Sequence, residues 1–155
     1  MGWFRLLRRK VSTLTQLSPY ERSLLLQALV LLPLVALSLR FSGLRLTQYL
    51  LSYLPKTSQP SLSGSTVSQA WTTARMVRVA VRYNRLWANC LKRSLVLWAL
   101  LHRQGIPSQL RIGVQQTAEK FSAHAWVESQ GMVLNEEPGV HLQFTPFQHS
   151  FEAQR

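Results

Sequence analysis

One cysteine and one histidine in this chain stand in contexts that suit nucleophilic catalysis. Cys90 is the only cysteine among 155 residues, and Asn89 before it predicts that a helix starts there. The first N–H groups of a helix lack partners within the helix and carry partial positive charge, which favours a thiolate. Because the thiolate is the nucleophilic form, Cys90 is the predicted nucleophile, and the same N–H groups can stabilise an oxyanion.

A cysteine nucleophile needs a base, and His124 is the candidate. It lies within a strand predicted over Phe121 to Glu128, on the face opposite Ala123 and Ala125. The chain between Cys90 and His124 is long enough for a helix, a turn and two strands, which brings the base back to the helix start. The histidines and the cysteine show no metal-ligand spacing, so we predict neither a metal nor another cofactor.

The third member of such a site accepts the other imidazole N–H and stabilises the charged ring. The chain contains no aspartate, so the candidates are Asn135 and Glu136, at the end of a predicted strand. With a two-residue turn at Gln130-Gly131, His124 faces position 137, and Asn135 lies diagonally on the same face. With a three-residue loop, His124 pairs with Glu136. An amide and a carboxylate can both accept the bond, so both residues are kept.

The helices and strands predicted around these residues indicate an α+β fold. Helices are predicted over Gln69 to Trp87 and over Cys90 to Gln104, and Gly105 and Pro107 end the second. Three strands are predicted to follow, at Gln109–Val114, Phe121–Glu128 and Met132–Asn135. That order indicates a small antiparallel sheet packed on the cysteine helix.

The front of the chain, residues 1–55, is predicted to be a leucine-rich helical region. Ser18, Pro19 and Glu21 have the pattern of a helix start with a capping box. The apolar stretch Leu24 to Leu39 is shorter than the roughly 20 residues of a spanning helix, so a buried helical hairpin is predicted. Contact of Leu24 to Leu39 with a membrane is the alternative, and a signal peptide is a third interpretation, although no small-residue cleavage site follows.

Residues 56–68 are rich in Ser, Thr, Pro and Gly, a composition typical of a linker or surface loop. They are predicted to separate the helical front from a catalytic domain at residues 69–155. Three units are therefore predicted, of which only the last carries the candidate chemistry.

Composition and charge narrow the classes of protein further. Hydrophobic residues make up 46% of the chain, which is enough to build a core. A single cysteine permits no internal disulfide and fits a reducing cytoplasm. The 18 Lys and Arg against 6 acidic residues give a net charge of +12, which suits an acidic partner or a solvated basic face. No nucleic-acid-binding motif accompanies the charge, so no nucleic acid is predicted as a partner.

Several runs of residues, taken together, resemble one family. The runs are Asn89–Leu95, Gly105–Val114, Ala123–Glu128, Gly131–Glu136 and Phe144–Phe147, with Leu17–Arg22 at the front. This combination resembles the transglutaminase-like leader peptidases of lasso-peptide biosynthesis, in the short form without its own leader-recognition domain. The run His-Ala-Trp-Val-Glu alone indicates only the wider transglutaminase-like superfamily.

The resemblance implies a papain-type triad with Cys90 as nucleophile and His124 as base. The family's third residue is usually an aspartate, and Glu136 in that position is longer by one methylene. The implied reaction is removal of the leader from a ribosomally made precursor peptide, in the cytoplasm. The implied partners are that precursor, a separate leader-recognition protein, and an ATP-dependent cyclase that closes the macrolactam.

Two other functions fit the same residues. Amide formation or deamidation would use the same acyl-enzyme and differ only in the acceptor. A membrane-associated scaffold without catalysis would use the apolar front instead, although an intact Cys90 and His124 argue against it.

Overall fold

The computed structural model describes residues 17–56, 65–116, 121–137 and 139–146. Within them lie three helices, α1 (Pro19–Ser52), α2 (Thr66–Tyr83) and α3 (Cys90–Arg103). The strands are β1 (Gln109–Gln116), β2 (Phe121–Ser129), β3 (Met132–Val133) and β4 (Thr145–Pro146), and short 3₁₀ helices lie at Arg85–Trp87 and Val140–Gln143. Helices followed by one antiparallel sheet confirm the predicted α+β fold.

The start of α1 follows from its local sequence. Ser18 Oγ accepts a hydrogen bond from the Glu21 amide, and the Glu21 carboxylate accepts one from the Ser18 amide. This is the predicted capping box, with Pro19 in the first turn. The helix is interrupted at Gly43, whose φ of 72° is costly for any residue with a side chain. Ser38 Oγ and Thr47 Oγ1 are 2.8 Å apart across this break, a contact that residues nine apart in a straight helix cannot make. The chain therefore turns back sharply at Gly43, as in the predicted helical hairpin, but only the inner side of α1 is buried.

Helix α3, which begins with Cys90, is the centre of the core. Every residue from 94 to 101 is buried, because α1, α2 and β2 all pack against this helix. Tyr20 at the start of α1 donates a hydrogen bond to Gln104 Oε1, 2.6 Å away, just after the end of α3. Because Tyr20 is partly buried by this packing, its pKa is raised. The packing on α3 places the apolar side of α1 and the catalytic elements in one core.

The sheet has the strand order β3-β2-β1-β4, and every neighbouring pair is antiparallel. The turn between β2 and β3 contains two residues, Gln130 and Gly131, with φ of 50° and 76°. Positive φ at both positions is what a type I′ turn requires. Ser129 therefore pairs with Met132, which confirms the two-residue turn among the two registers considered.

Strand β3 ends two residues before its predicted end. The Leu134 amide still donates to the Val127 carbonyl at 3.0 Å. The Val127 amide, however, donates to the side-chain oxygen of Asn135 at 2.8 Å. A side chain thus replaces the reciprocal backbone hydrogen bond of the Val127–Leu134 pair, and the chain leaves the sheet before residue 136.

Two further boundaries differ from the predicted ones. Helix α2 begins at Thr66, because Ser65 Oγ accepts a hydrogen bond from the Ser68 amide and caps it. It ends at Tyr83, before the 3₁₀ helix at Arg85–Trp87. Most of the predicted linker, residues 57–64, lies outside the described residues, and the three-part domain division stays a prediction. Strand β4 was not predicted, because a two-residue strand is too short for alternation to show.

Candidate active site

Cys90 is the first residue of α3, as predicted. Asn89 caps the helix: its side-chain oxygen accepts from the Lys92 amide at 2.9 Å, and its carbonyl accepts from the Arg93 amide at 3.0 Å. Within the described part of the chain, the amides of Cys90 and Leu91 have no hydrogen-bond partner. The Cys90 side chain is partly buried, so a partly shielded sulfur lies beside two amides that can bind an oxyanion.

The first turn of α3 carries cations where helices usually favour acids. It contains no acidic residue but does contain Lys92 and Arg93. Positive side chains here oppose the helix dipole and cost some helix stability. They also favour an anion at the start of the helix, such as the oxyanion formed when a carbonyl is attacked.

A buried hydrogen-bond network fastens the first turn of α3 to β2. Ser94, one helical turn after Cys90, donates to the carbonyl of Ala125 at 2.8 Å. The side-chain nitrogen of Asn135 donates to the same Ser94 oxygen at 2.8 Å. Because Ala125 directly follows His124, this network brings the start of the cysteine helix to the strand that carries the histidine.

Glu136 is the acidic residue beside the imidazole of His124. Its Oε1 lies 3.1 Å from His124 Nε2, and the two side chains are only 13% and 17% exposed. The distance is that of an ion pair, but Nε2 makes no hydrogen bond of normal direction to any described residue. Arg93 Nη2 donates to the same Oε1. The carboxylate is therefore shared between the histidine and the first turn of the cysteine helix, and its contact with the histidine is close but poorly aligned for a hydrogen bond.

Asn135, the other candidate for the third position, does not contact the imidazole. Its amide is buried and bonded at both ends, to the Val127 amide and to Ser94 Oγ. The two predicted registers placed either position 137 or Glu136 opposite His124. Neither pairs with His124, because β3 ends before both positions. The structure thus brings together Cys90's helix, His124 and Glu136, and uses Asn135 to hold α3 against β2.

Two aromatic rings lie beside the imidazole. The Phe144 ring centroid is 5.0 Å from that of His124, and the Trp126 centroid is 6.3 Å away, both nearly parallel to it. Trp126 is buried, and its Nε1 donates to Glu128 at 2.7 Å, while Arg111 pairs with the other oxygen of Glu128. By strand alternation, Trp126 and Glu128 lie on the same face of β2 as His124, and the hydrogen bond to Glu128 helps to orient the Trp126 ring.

Gly113 is a site residue that the sequence reasoning missed. It lies directly opposite His124 in the β1–β2 pair. A Cβ added there would lie 2.9 Å from both Phe144 Cβ and Trp126 Cη2, closer than real side chains approach. The absence of a side chain lets the two rings lie over β1, next to His124. A glycine inside an alternating strand is the signal that could have indicated such a close approach.

The remaining histidines show no second centre within the residues described. The His102 ring stacks on Trp98, with 5.7 Å between centroids, and His149 lies outside the described residues. No group of three potential metal ligands occurs among residues 17–56, 65–116, 121–137 and 139–146.

Comparison with known protein families shows which superfamily the chain matches. A family model described as the transglutaminase-like superfamily matches residues 28–149. The matched span begins within α1 and includes the start of α3, all of β2 and Glu136. No curated protein and no solved structure matches the chain.

Proposed function

Because the chain belongs to the transglutaminase-like superfamily, we propose that it is a cysteine peptidase that removes the leader from a ribosomally synthesised lasso precursor peptide. Members of this superfamily are usually enzymes that carry out cysteine-based acyl transfer or proteolysis. The observation that carries the proposal is the convergence of His124 and Arg93 on Glu136 at the start of the cysteine helix.

In the proposed triad, Cys90 is the nucleophile, His124 the base and Glu136 the acid that orients the base. With Glu136 at Nε2, that nitrogen carries the imidazole proton, and Nδ1 is left to accept the thiol proton of Cys90. The carboxylate then stabilises the imidazolium that forms.

The first half-reaction forms an acyl-enzyme. The Cys90 thiolate attacks the carbonyl carbon of the scissile peptide bond, and the amides of Cys90 and Leu91 bind the resulting oxyanion. The intermediate collapses as the C–N bond breaks, and imidazolium His124 gives its proton to the leaving amine. The amine fragment is the core peptide, and the leader remains attached to Cys90 as a thioester.

The second half-reaction returns the enzyme to its starting state. Neutral His124 takes a proton from water, and the hydroxide attacks the thioester carbonyl. The C–S bond breaks, the leader leaves with a new carboxylate, and Cys90 is again a thiolate. One water is consumed in each turnover, and no oxidant, reductant or cofactor is needed.

The same resemblance extends the proposal to the partners of the enzyme. A separate leader-recognition protein would present the precursor, and an ATP-dependent cyclase would close the macrolactam on the freed core amine. The net charge of +12 supports docking of acidic partners or of an acidic leader, since opposite charge speeds association. The cytoplasm is the compartment where these partners and a reduced Cys90 would coexist.

The test uses the purified full chain, a synthetic precursor peptide and the leader-recognition protein encoded nearest to it. We expect cleavage at one bond, with fragment masses that sum to the precursor plus one water. In heavy-oxygen water, the new carboxylate of the leader should carry one heavy oxygen. Cys90→Ala and His124→Ala should abolish cleavage while their thermal unfolding stays cooperative.

Other outcomes identify the alternatives. A product in which an added amine replaces the leaving amine, with no cleavage in water alone, would indicate amide formation. Conversion of a glutamine of the peptide to glutamate would indicate deamidation. Cleavage by a well-folded Cys90→Ala protein would refute the triad altogether.

A further inference from the structure

The outward side of α1 is apolar, which is unusual for a helix at the surface of a domain. Residues 23–39 contain no charged side chain. Five large apolar residues of the outward side are between 44% and 81% exposed, and they recur every three or four positions: Leu26, Val30, Leu34, Leu37 and Phe41. A surface helix normally presents polar residues here, and one that is apolar on all sides is buried or lies in a membrane. We call these five residues the outer stripe.

The opposite side of α1 is already occupied. Leu24, Ala28, Leu32 and Val35 are at most 1% exposed, within the core that includes α3. By length and composition α1 is apolar enough to cross a bilayer, and one third of its most apolar window is buried. Crossing a bilayer would pull these residues out of the catalytic core. The outer stripe can therefore meet lipid only if α1 lies along the membrane surface.

Positive charge borders the outer stripe. Arg22 and Arg40 stand at its two ends and are exposed, and exposed Arg45 follows. Arginines at the edges of an apolar face can extend to lipid phosphates while the apolar side chains enter the acyl region. The sequence also places Arg5, Arg8, Arg9 and Lys10 before the helix, and clusters of basic residues attract anionic headgroups.

Further apolar side chains are exposed after the break at Gly43. Leu46, Leu50, Tyr49 and Tyr53 are each about half exposed or more. The two tyrosine rings contact each other at a tilt of 55°, with 4.7 Å between centroids, and the Tyr49 hydroxyl donates to the Tyr53 hydroxyl at 3.1 Å. Tyrosine suits a boundary between water and lipid, because its ring is apolar and its hydroxyl is polar.

We propose that the outer stripe of α1 binds the surface of an anionic lipid bilayer, with the axis of the helical segment before Gly43 along the membrane plane. The partner is a phospholipid membrane rather than a protein, because basic residues border an apolar face that carries no charge of its own. This inference does not rest on the peptidase activity. The sequence alone suggested membrane contact through the whole stretch Leu24 to Leu39. The structure places four of its residues in the core instead: Leu24, Leu25, Leu31 and Leu32.

The test is flotation of the full chain with phosphatidylcholine vesicles that contain or lack phosphatidylglycerol. We expect the protein to float with the anionic vesicles and much less with the neutral ones. The double variant Val30→Glu and Leu34→Glu should weaken binding about tenfold or more, because two apolar anchors become anions. Leu142→Glu, at another exposed leucine, is the matched control and should float as the wild type does.

A measurement of thermal unfolding distinguishes a variant that has lost vesicle binding from one that no longer folds. Val30 and Leu34 are more than half exposed, so the double variant should unfold at the wild-type temperature. Three results would overturn the proposal: no flotation of the wild type, equal losses in the double variant and in Leu142→Glu, or binding that depends only on Arg5, Arg8, Arg9 and Lys10. A wild-type dimer that the double variant converts to monomer, with no vesicle binding, would assign the stripe to a second copy of the chain.

Discussion

Arg93 and His124 converge on the same carboxylate oxygen, Oε1 of Glu136. One residue comes from the first turn of the helix that begins with Cys90, and the other from the middle of β2. Glu136 itself follows β3, after the chain has left the sheet. A single side chain therefore couples the strand that carries the base to the helix that carries the nucleophile.

Arg93 is expected to act as a positioning residue. Arg93→Met removes the cation that holds Glu136, so kcat/KM for precursor cleavage should fall roughly ten- to a hundredfold. Arg93→Lys keeps the charge and should recover part of the activity, although it lacks the guanidinium fork. The loss should appear in kcat with KM little changed. Full activity in Arg93→Met would show that Glu136 needs no such support.

Substitutions of Glu136 and Asn135 are expected to affect different properties, kcat for Glu136 and stability for Asn135. Glu136→Gln keeps the shape but removes the charge that stabilises imidazolium His124, so kcat should fall roughly a hundredfold or more with stability preserved. Asn135→Ala leaves the buried Val127 amide without a partner and removes one of the two hydrogen bonds of Ser94 Oγ, so it should cost about 2 kcal/mol in urea unfolding.

The pair of variants also distinguishes the two candidates for the third position. Per folded molecule, Asn135→Ala should keep a kcat near that of the wild type. A folded Asn135→Ala protein as impaired as Glu136→Gln would make Asn135 the third member instead.

The reactivity of Cys90 can be measured without a known substrate. The chain has one thiol, so the iodoacetamide signal belongs to Cys90. A free thiol is only about 1% thiolate at pH 6.5. Because we propose that His124 takes the thiol proton, alkylation of Cys90 at that pH should be about tenfold or more faster than that of a free-thiol standard. His124→Ala should lose this advantage, and a Cys90 that reacts only after denaturation would remove the main support for an enzyme.

Gly113 is expected to be intolerant of a side chain. Gly113→Ala places a Cβ against Phe144 and Trp126 and should cost about 1–3 kcal/mol in thermal or urea unfolding. Activity should fall further than the unfolded fraction explains, because both rings lie beside His124. Trp126→Phe lacks the two Trp126 atoms that the new Cβ would meet, so the cost of Gly113→Ala should be smaller in that background. Equal costs in both backgrounds would mean that the strain lies elsewhere.

Much of the fold could be predicted from short-range patterns. The capping box at Ser18, the helix start at Cys90 and the turn at Gln130-Gly131 all formed as their residue types indicate. Each depends on contacts within about four residues, which a sequence displays directly. The strand that carries His124 was visible for the same reason, through its alternation.

The sequence by itself determined the chemistry that the chain can offer: one thiol at a helix start, one histidine in a strand, and no aspartate to join them. Only the tertiary structure decided that Glu136 reaches the imidazole while Asn135 bridges α3 and β2. That choice depends on where the chain leaves the sheet after β3, and on Arg93, a residue 43 positions away in sequence from Glu136. The exposure of the outer stripe was likewise hidden, because apolar residues on both sides of a helix do not show which side the core will cover.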